Sequence, residues 1–329
     1  MRVRIGRGGA GKIFGSIFAL VGLLFVASPS MSDDVMQGRV LILGGGGPVG
    51  EAWESGIIVG LADKGIDLSK AERIIGTSAG SIVGARLALH LPQAQFIEGA
   101  LAPSDEATQK LPSERKPPAP DLTFLGTKLA EMSAGKRPRQ TIEAEIGKWA
   151  QRAHPVVREA EFVASYQRRF PQAQWPRHPY ECISVDAADG SMRIWNESSE
   201  VPLGMAVAAS CALPGVFAPV SIDGHRYMDG GVRSVTNADL ARGCQQALIL
   251  APTAGLDDPM AKDFTQPLDG EIRSLRDGGC KVELIAPDAA SLKAYGASIG
   301  DEQHRAPAFE AGRVQGQSQA AATASFWRE

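Results

Sequence analysis

Histidine is scarce in this chain, with five in 329 residues and no obvious partner for a nucleophile among them. Cysteine is as sparse. Cys182, Cys211, Cys244 and Cys280 lack the short paired spacings of zinc or redox sites, so they read as reduced thiols and no metal is expected. A disulfide framework is not expected in a chain of this size, which favours a reducing compartment. No basic stripe with interleaved aromatics occurs. The formal charge is -3, which argues against a nucleic-acid partner. The apolar run Ile13 to Ala27 has fifteen residues, too short for a confident transmembrane span.

That run follows MRVRIGRGGAGK, whose four positive charges complete the layout of a signal-peptide n-region and h-region. Ser28 followed by Pro29 makes a poor cleavage site, and Met31 offers a second start. Residues 1–36 therefore read equally as a signal-like or membrane-associating segment and as a start placed too early, and the fold is sought after them. The expected location is cytoplasmic or peripheral to a membrane, with export or membrane association through residues 13–27 as the alternative.

What is present is a 44% hydrophobic chain able to bury a large core. RVLILGGGGPVGEAWESGIIVGLADKGI reads as a buried strand, a glycine loop and a helix with Trp53, Ile57, Ile58 and Leu61 on one face. A second strand, Arg73 to Gly76, breaks at GTSAG before a second helix, Ser81 to about His90. Strand, glycine turn and helix, twice in succession, begin a parallel sheet with covering helices. Ten prolines punctuate residues 101–180, a helical insertion of net charge +4 against -7 for the remainder. It reads as a solvated insertion, with a basic face toward anionic lipid as the alternative. Strands return at ECISVDAADGSMRIWNE, a hairpin turning at Asp189 and Gly190, and at the pair turning at Asp223 and Gly224. ALILAP and KVELIAP add strands, and the tail adds a helix.

Three short stretches carry chemistry. GTSAG places Ser78 between an apolar strand and a helix, the setting of a nucleophile elbow; Gly76 and Gly80 keep side chains out of the tight turn. GGGGPVG, Gly44 to Gly50, leaves backbone N–H groups open to an anion, yet Gly45 to Gly50 also fit the dinucleotide fingerprint G-x-G-x-x-G. An oxyanion hole accounts for both glycine turns, while the dinucleotide reading accounts for one. YMDGG is an ordinary turn signal, but Asp229 ends an apolar strand before Gly230 and Gly231, where a carboxylate can act as a general base. His225 lies four residues before Asp229, about 13 Å along a strand, and reads as a turn residue. His90 reads as a helix-end residue; His154, His178 and His304 read as surface positions.

Taken in order, GGGGPVG, GTSAG and ASCALPGVFAPVSIDGHRYMDGG resemble the patatin-like phospholipases, lipid acyl hydrolases with a Ser-Asp dyad, over Arg39 to Ala241. The resemblance implies a three-layer α/β/α fold with a mostly parallel central sheet and the proline-rich helical insertion. Residues 37–241 would form the catalytic domain, with 242–329 completing it. It also implies Ser78 as nucleophile, Asp229 as base, and Gly45, Gly46 and Gly47 as the oxyanion loop. The implied partner is a lipid or apolar ester, with peripheral membrane contact left open and no cofactor. Where the family carries Arg or Lys two residues after the third glycine, this chain has Val49. A non-catalytic lipid-binding protein and a dinucleotide-binding oxidoreductase stand as the alternatives.

Overall fold

A computed structural model describes residues 38–103, 121–155, 157–171 and 174–328. The segment 13–27 and the proline-rich stretch 104–120 lie outside them. Strand β1 (Arg39–Leu43) is a continuous apolar run because both of its faces are covered. It lies between β2 (Arg73–Thr77) and β7 (Gln246–Leu250), and β8 (Lys281–Ile285) extends the sheet; all these pairings are parallel. Beyond β2 come β3 (Tyr180–Asp186), parallel to it, and then β4 (Met192–Trp195), β5 (Val220–Ile222) and β6 (His225–Asp229), which enter antiparallel.

Alternation along β1 divides the core into two sides. Leu41 and Leu43 pack with Trp53 and Ile57 of helix α1 (Gly47–Ala62), and with Phe309 of α11 (Arg305–Arg328). On that face also lie α2 (Ala79–Ala88), α3 (Gln93–Leu101), α6 (Glu159–Arg169) and α7 (Leu203–Ser210). Val40 and Ile42 face the other way, toward Leu268, Ile272 and Leu275 of α9 (Leu268–Asp277), which follows α8 (Pro259–Thr265). The layout is the three-layer, mostly parallel architecture expected from the sequence. Helices α4 (Thr123–Ser133) and α5 (Arg139–Ala150) cover the β3–β6 part of this second face. The insertion therefore divides its helices between the two sides of the sheet. The short α10 (Ala289–Ala294) leads toward α11.

The cysteine reading is corrected. Cys244 and Cys280 form a disulfide with their Cα atoms 5.4 Å apart; only Cys182 and Cys211 are free, and both are buried. The two bridged residues are far apart in sequence, so spacing gave no sign of the pair. Each instead precedes one of two adjacent parallel strands, whose register places Gln246 opposite Lys281 and brings the sulfurs together.

Candidate active site

Sheet register brings Ser78 and Asp229 to one place. Strand β4 occupies one edge of β3 from Cys182 to Val185, so β2 and β6 must share the other edge. Thr77 pairs with Ile183, and Asp229 pairs with the next residue, Ser184. Because β2 runs with β3 and β6 against it, the two strands end facing each other. The residue after Thr77 therefore meets Asp229.

Ser78 turns out of β2 at φ 52° and ψ -118°, a backbone state that costs a non-glycine residue about 1–3 kcal/mol. Several hydrogen bonds hold it there. Its N–H donates to Ser210 Oγ at 3.0 Å. Its carbonyl accepts from the Ser81 N–H at 2.8 Å, Ser81 Oγ at 2.6 Å and Cys211 Sγ at 3.2 Å. The flanking glycines are required by close approach. A Cβ on Gly76 would lie 2.6 Å from the Gly80 carbonyl oxygen, and one on Gly80 would lie 2.1 Å from that of Leu43.

Ser78 Oγ donates to Asp229 Oδ2 at 2.7 Å, while Oδ1 accepts the Gly231 N–H at 2.7 Å. Asp229 is 3% exposed, and Ser78 is half-buried, so the hydroxyl is reachable while its acceptor is shielded. Burial raises the Asp229 carboxyl to about 7, against the opposite pull of the Gly231 N–H and the Ser78 hydroxyl. Gly230 lets this turn close: a Cβ there would stand 2.3 Å from the Ile183 carbonyl oxygen.

The glycine loop adjoins the serine. A Cβ on Gly45 would be 3.3 Å from Ser78 Cβ, and the Gly80 N–H donates to the Gly44 carbonyl at 3.0 Å. The Gly45 N–H is committed to the Val235 carbonyl at 2.8 Å, which removes Gly45 from the expected set of oxyanion donors. Gly46 and Gly47 have no such acceptor among the described residues, and Gly47 opens α1 at φ 59°.

A serine elbow, a carboxylate acceptor and an open glycine loop now stand together, and the family description Patatin-like phospholipase matches residues 41–242. The chain belongs to the patatin-like phospholipase family. Its family is one of lipid acyl hydrolases. Among solved structures, this patatin-like chain is similar to VipD from Legionella pneumophila, at 12% identity and a TM-score of 0.45 over 86% of this chain and 66% of that one. It is also similar to the type III effector protein ExoU, at 15% identity and a TM-score of 0.39 over 86% of this chain and 52% of that one. The chain thus spans less than two thirds of the length of either. A search of curated proteins found no match.

At the position where the resemblance leads one to expect a cation, Val49 is fully buried in the core. Two polar residues escaped sequence reasoning. Glu54 is fully buried in α1, and its Oε1 accepts the Gly44 N–H at 2.8 Å; two acids, Glu51 and Glu54, within an otherwise apolar helix were the available signal. Asn237 Nδ2 donates to Thr77 Oγ1 at 3.1 Å and to the Gly230 carbonyl at 3.3 Å, tying together the residues that flank the pair. The histidines stay apart from the pair. His225 begins β6 and meets Asp186 Oδ2 at 2.8 Å through Nδ1. His178 and His304 are half-buried, not the surface positions expected, and His304 Nδ1 contacts the Ala294 carbonyl at 2.8 Å.

Proposed function

We propose that the protein is a serine acyl hydrolase of lipid carboxylic esters, with Ser78 as nucleophile and Asp229 as its base. The 2.7 Å hydrogen bond from Ser78 Oγ to a buried carboxylate carries this reading. In the first half-reaction Oγ attacks the ester carbonyl as Asp229 Oδ2 takes its proton, and the protonated Asp229 then delivers that proton to the departing alcohol. In the second, water adds to the acyl-serine ester as Asp229 Oδ2 takes its proton; the bond to Oγ then breaks, Asp229 returns the proton to Oγ, and the carboxylic acid leaves. The N–H groups of Gly46 and Gly47, with the positive end of α2, are suited to the charge on the carbonyl oxygen in both halves. Every proton transfer uses this chain's own groups and water. The substrate class supports peripheral contact with a lipid surface, and no helix among the described residues is long and apolar enough to cross a membrane.

Hydrolysis of phospholipids, acylglycerols and short p-nitrophenyl esters by the parent chain and by Ser78→Ala tests the reading, together with labelling by a fluorophosphonate. The expected result is labelling of the parent alone and a loss of turnover on the order of 10³ or more in the variant. Equal turnover in a folded Ser78→Ala protein refutes the assignment. A parent that binds lipid vesicles but neither labels nor turns over returns the chain to the lipid-binding alternative.

A further inference from the structure

A cavity of about 680 Å³, lined by neither Ser78 nor Asp229, is walled by α5, the β3–β4 turn, α9 and residues 233–242. Its size falls within the range of small-molecule sites. Six of its fourteen lining residues are charged, which suits neither an acyl chain nor an apolar ester.

Most of those charges already have partners. Arg233 is paired with Asp239 at 2.6 Å, and Glu271 Oε2 accepts from Thr236 Oγ1 at 2.7 Å and the Ala238 N–H at 3.0 Å. Glu143 does not. It is 4% exposed, its Oε1 has no hydrogen-bond partner, and its nearest cation, Arg139 Nε, stands 3.9 Å away. Burial raises its carboxyl to about 7 even though Arg139 and Arg233 pull it down. Such a group is costly to leave unmatched and can both donate and accept a hydrogen bond near neutral pH.

Among the described residues Arg139 gives one N–H to the Arg233 carbonyl at 2.7 Å and makes no other side-chain hydrogen bond, while Arg242 is exposed and makes none. Ser191 and Ser274 add hydroxyls to the lining. A metal cation is disfavoured, since Glu143 is the one uncommitted carboxyl there and two guanidiniums stand near it. The complementary ligand carries an anion that several guanidinium N–H groups can share and hydroxyls beside it.

We propose that this cavity binds a small polyol phosphate, with Arg139 and Arg242 on the phosphate and Glu143, Ser191 and Ser274 on the hydroxyls. The source of that ligand is either a free solute or the headgroup of a phospholipid. The site stands independently of the hydrolase reading, because it can be measured in a protein without the serine.

Calorimetric titration of the full chain carrying Ser78→Ala, with glycerol 3-phosphate and with inorganic phosphate, tests the site. Saturable one-site binding is expected, tighter for glycerol 3-phosphate. Arg242→Ala removes an exposed side chain that makes no hydrogen bond among the described residues, so it should fold like its parent and bind both ligands about tenfold more weakly. Glu143→Leu should keep phosphate binding and lose the preference for glycerol 3-phosphate. Absence of saturable binding, or binding unchanged in both variants, overturns the proposal. Phosphatidylglycerol vesicles that displace glycerol 3-phosphate assign the ligand to a membrane headgroup; vesicles that leave it bound assign it to solution, and either result upholds the site.

Discussion

A carboxyl raised to about 7 titrates where an imidazole ordinarily does, so an acid limb near neutrality belongs to Asp229 without any histidine. Turnover should fall as pH drops through about 7, because protonated Asp229 cannot accept the serine proton. His225→Ala should leave that limb in place; its disappearance in this variant would contradict the assignment. The same shift bears on stability. The folded state holds the Asp229 proton up to about 7 and the unfolded chain only to near 3.8, so this group costs stability as pH rises between those values. Asp229→Asn is therefore expected to melt above the parent at pH 8 while losing turnover, which paired thermal denaturation and rate assays will check. At Val49 the burial fixes the outcome. Val49→Arg would place an unpaired charge in the core, and its melting temperature should drop sharply without a gain in turnover. Residue types and order in the motifs pointed to Ser78, Asp229 and the loop, and the structure brings Ser78 and Asp229 within 2.7 Å of each other. The commitment of the Gly45 N–H was not readable, since its acceptor, the Val235 carbonyl, comes from a segment nearly two hundred residues away.

Helices α1 and α11 meet through two glycine pairs that fit into one another. A Cβ on Gly56 would lie 2.1 Å from the Phe309 carbonyl oxygen and one on Gly60 2.2 Å from that of Arg313; for Gly312 and Gly316 the distances to the Trp53 and Ile57 carbonyl oxygens are 2.4 and 2.5 Å. The backbones touch where side chains would ordinarily separate them. Gly312→Ala should cost about 1–3 kcal/mol in urea unfolding, as overpacking does, with larger residues costing more. A buried ion-pair cluster adds to the grip. Glu51 of α1 meets Arg86 of α2 at 2.8 Å and Arg305 of α11 at 2.7 Å. Burial alone would raise Glu51, but Arg305 and Arg86 outweigh it and hold it at about 2. The existence of both helices was readable from apolar spacing and turn residues. Their contact was not, because a glycine four residues from another reads locally as a weak helix and shows its purpose only against a partner. Helix α2 begins at Ala79, two residues earlier than expected, because the turn at Ser78 delivers the chain directly into helical geometry.

The disulfide closes a loop of 36 residues around the β7-to-β8 crossover. Cross-linking a loop of that length typically contributes about 2–4 kcal/mol, so Cys244→Ser or Cys280→Ser should lower urea stability by that order, and a reductant should reproduce the loss in the parent. An unchanged midpoint in reductant would show the bridge to be absent in solution. Disulfides persist in oxidising compartments, so the bridge supports the exported alternative for this chain over the cytoplasmic one. The parallel sheet and its order of motifs were readable from repeated strand–glycine–helix units, whereas pairings that depend on register were not. Among those pairings is the shared edge of β3. Ser78 and Asp229 are 151 residues apart, and neither reaches the other until β2 and β6 are both seated on that one strand. A chain still emerging from the ribosome, or kept unfolded for passage across a membrane, has no assembled nucleophile and base. The hydrolase, on this reading, is disarmed by its own topology until folding is complete.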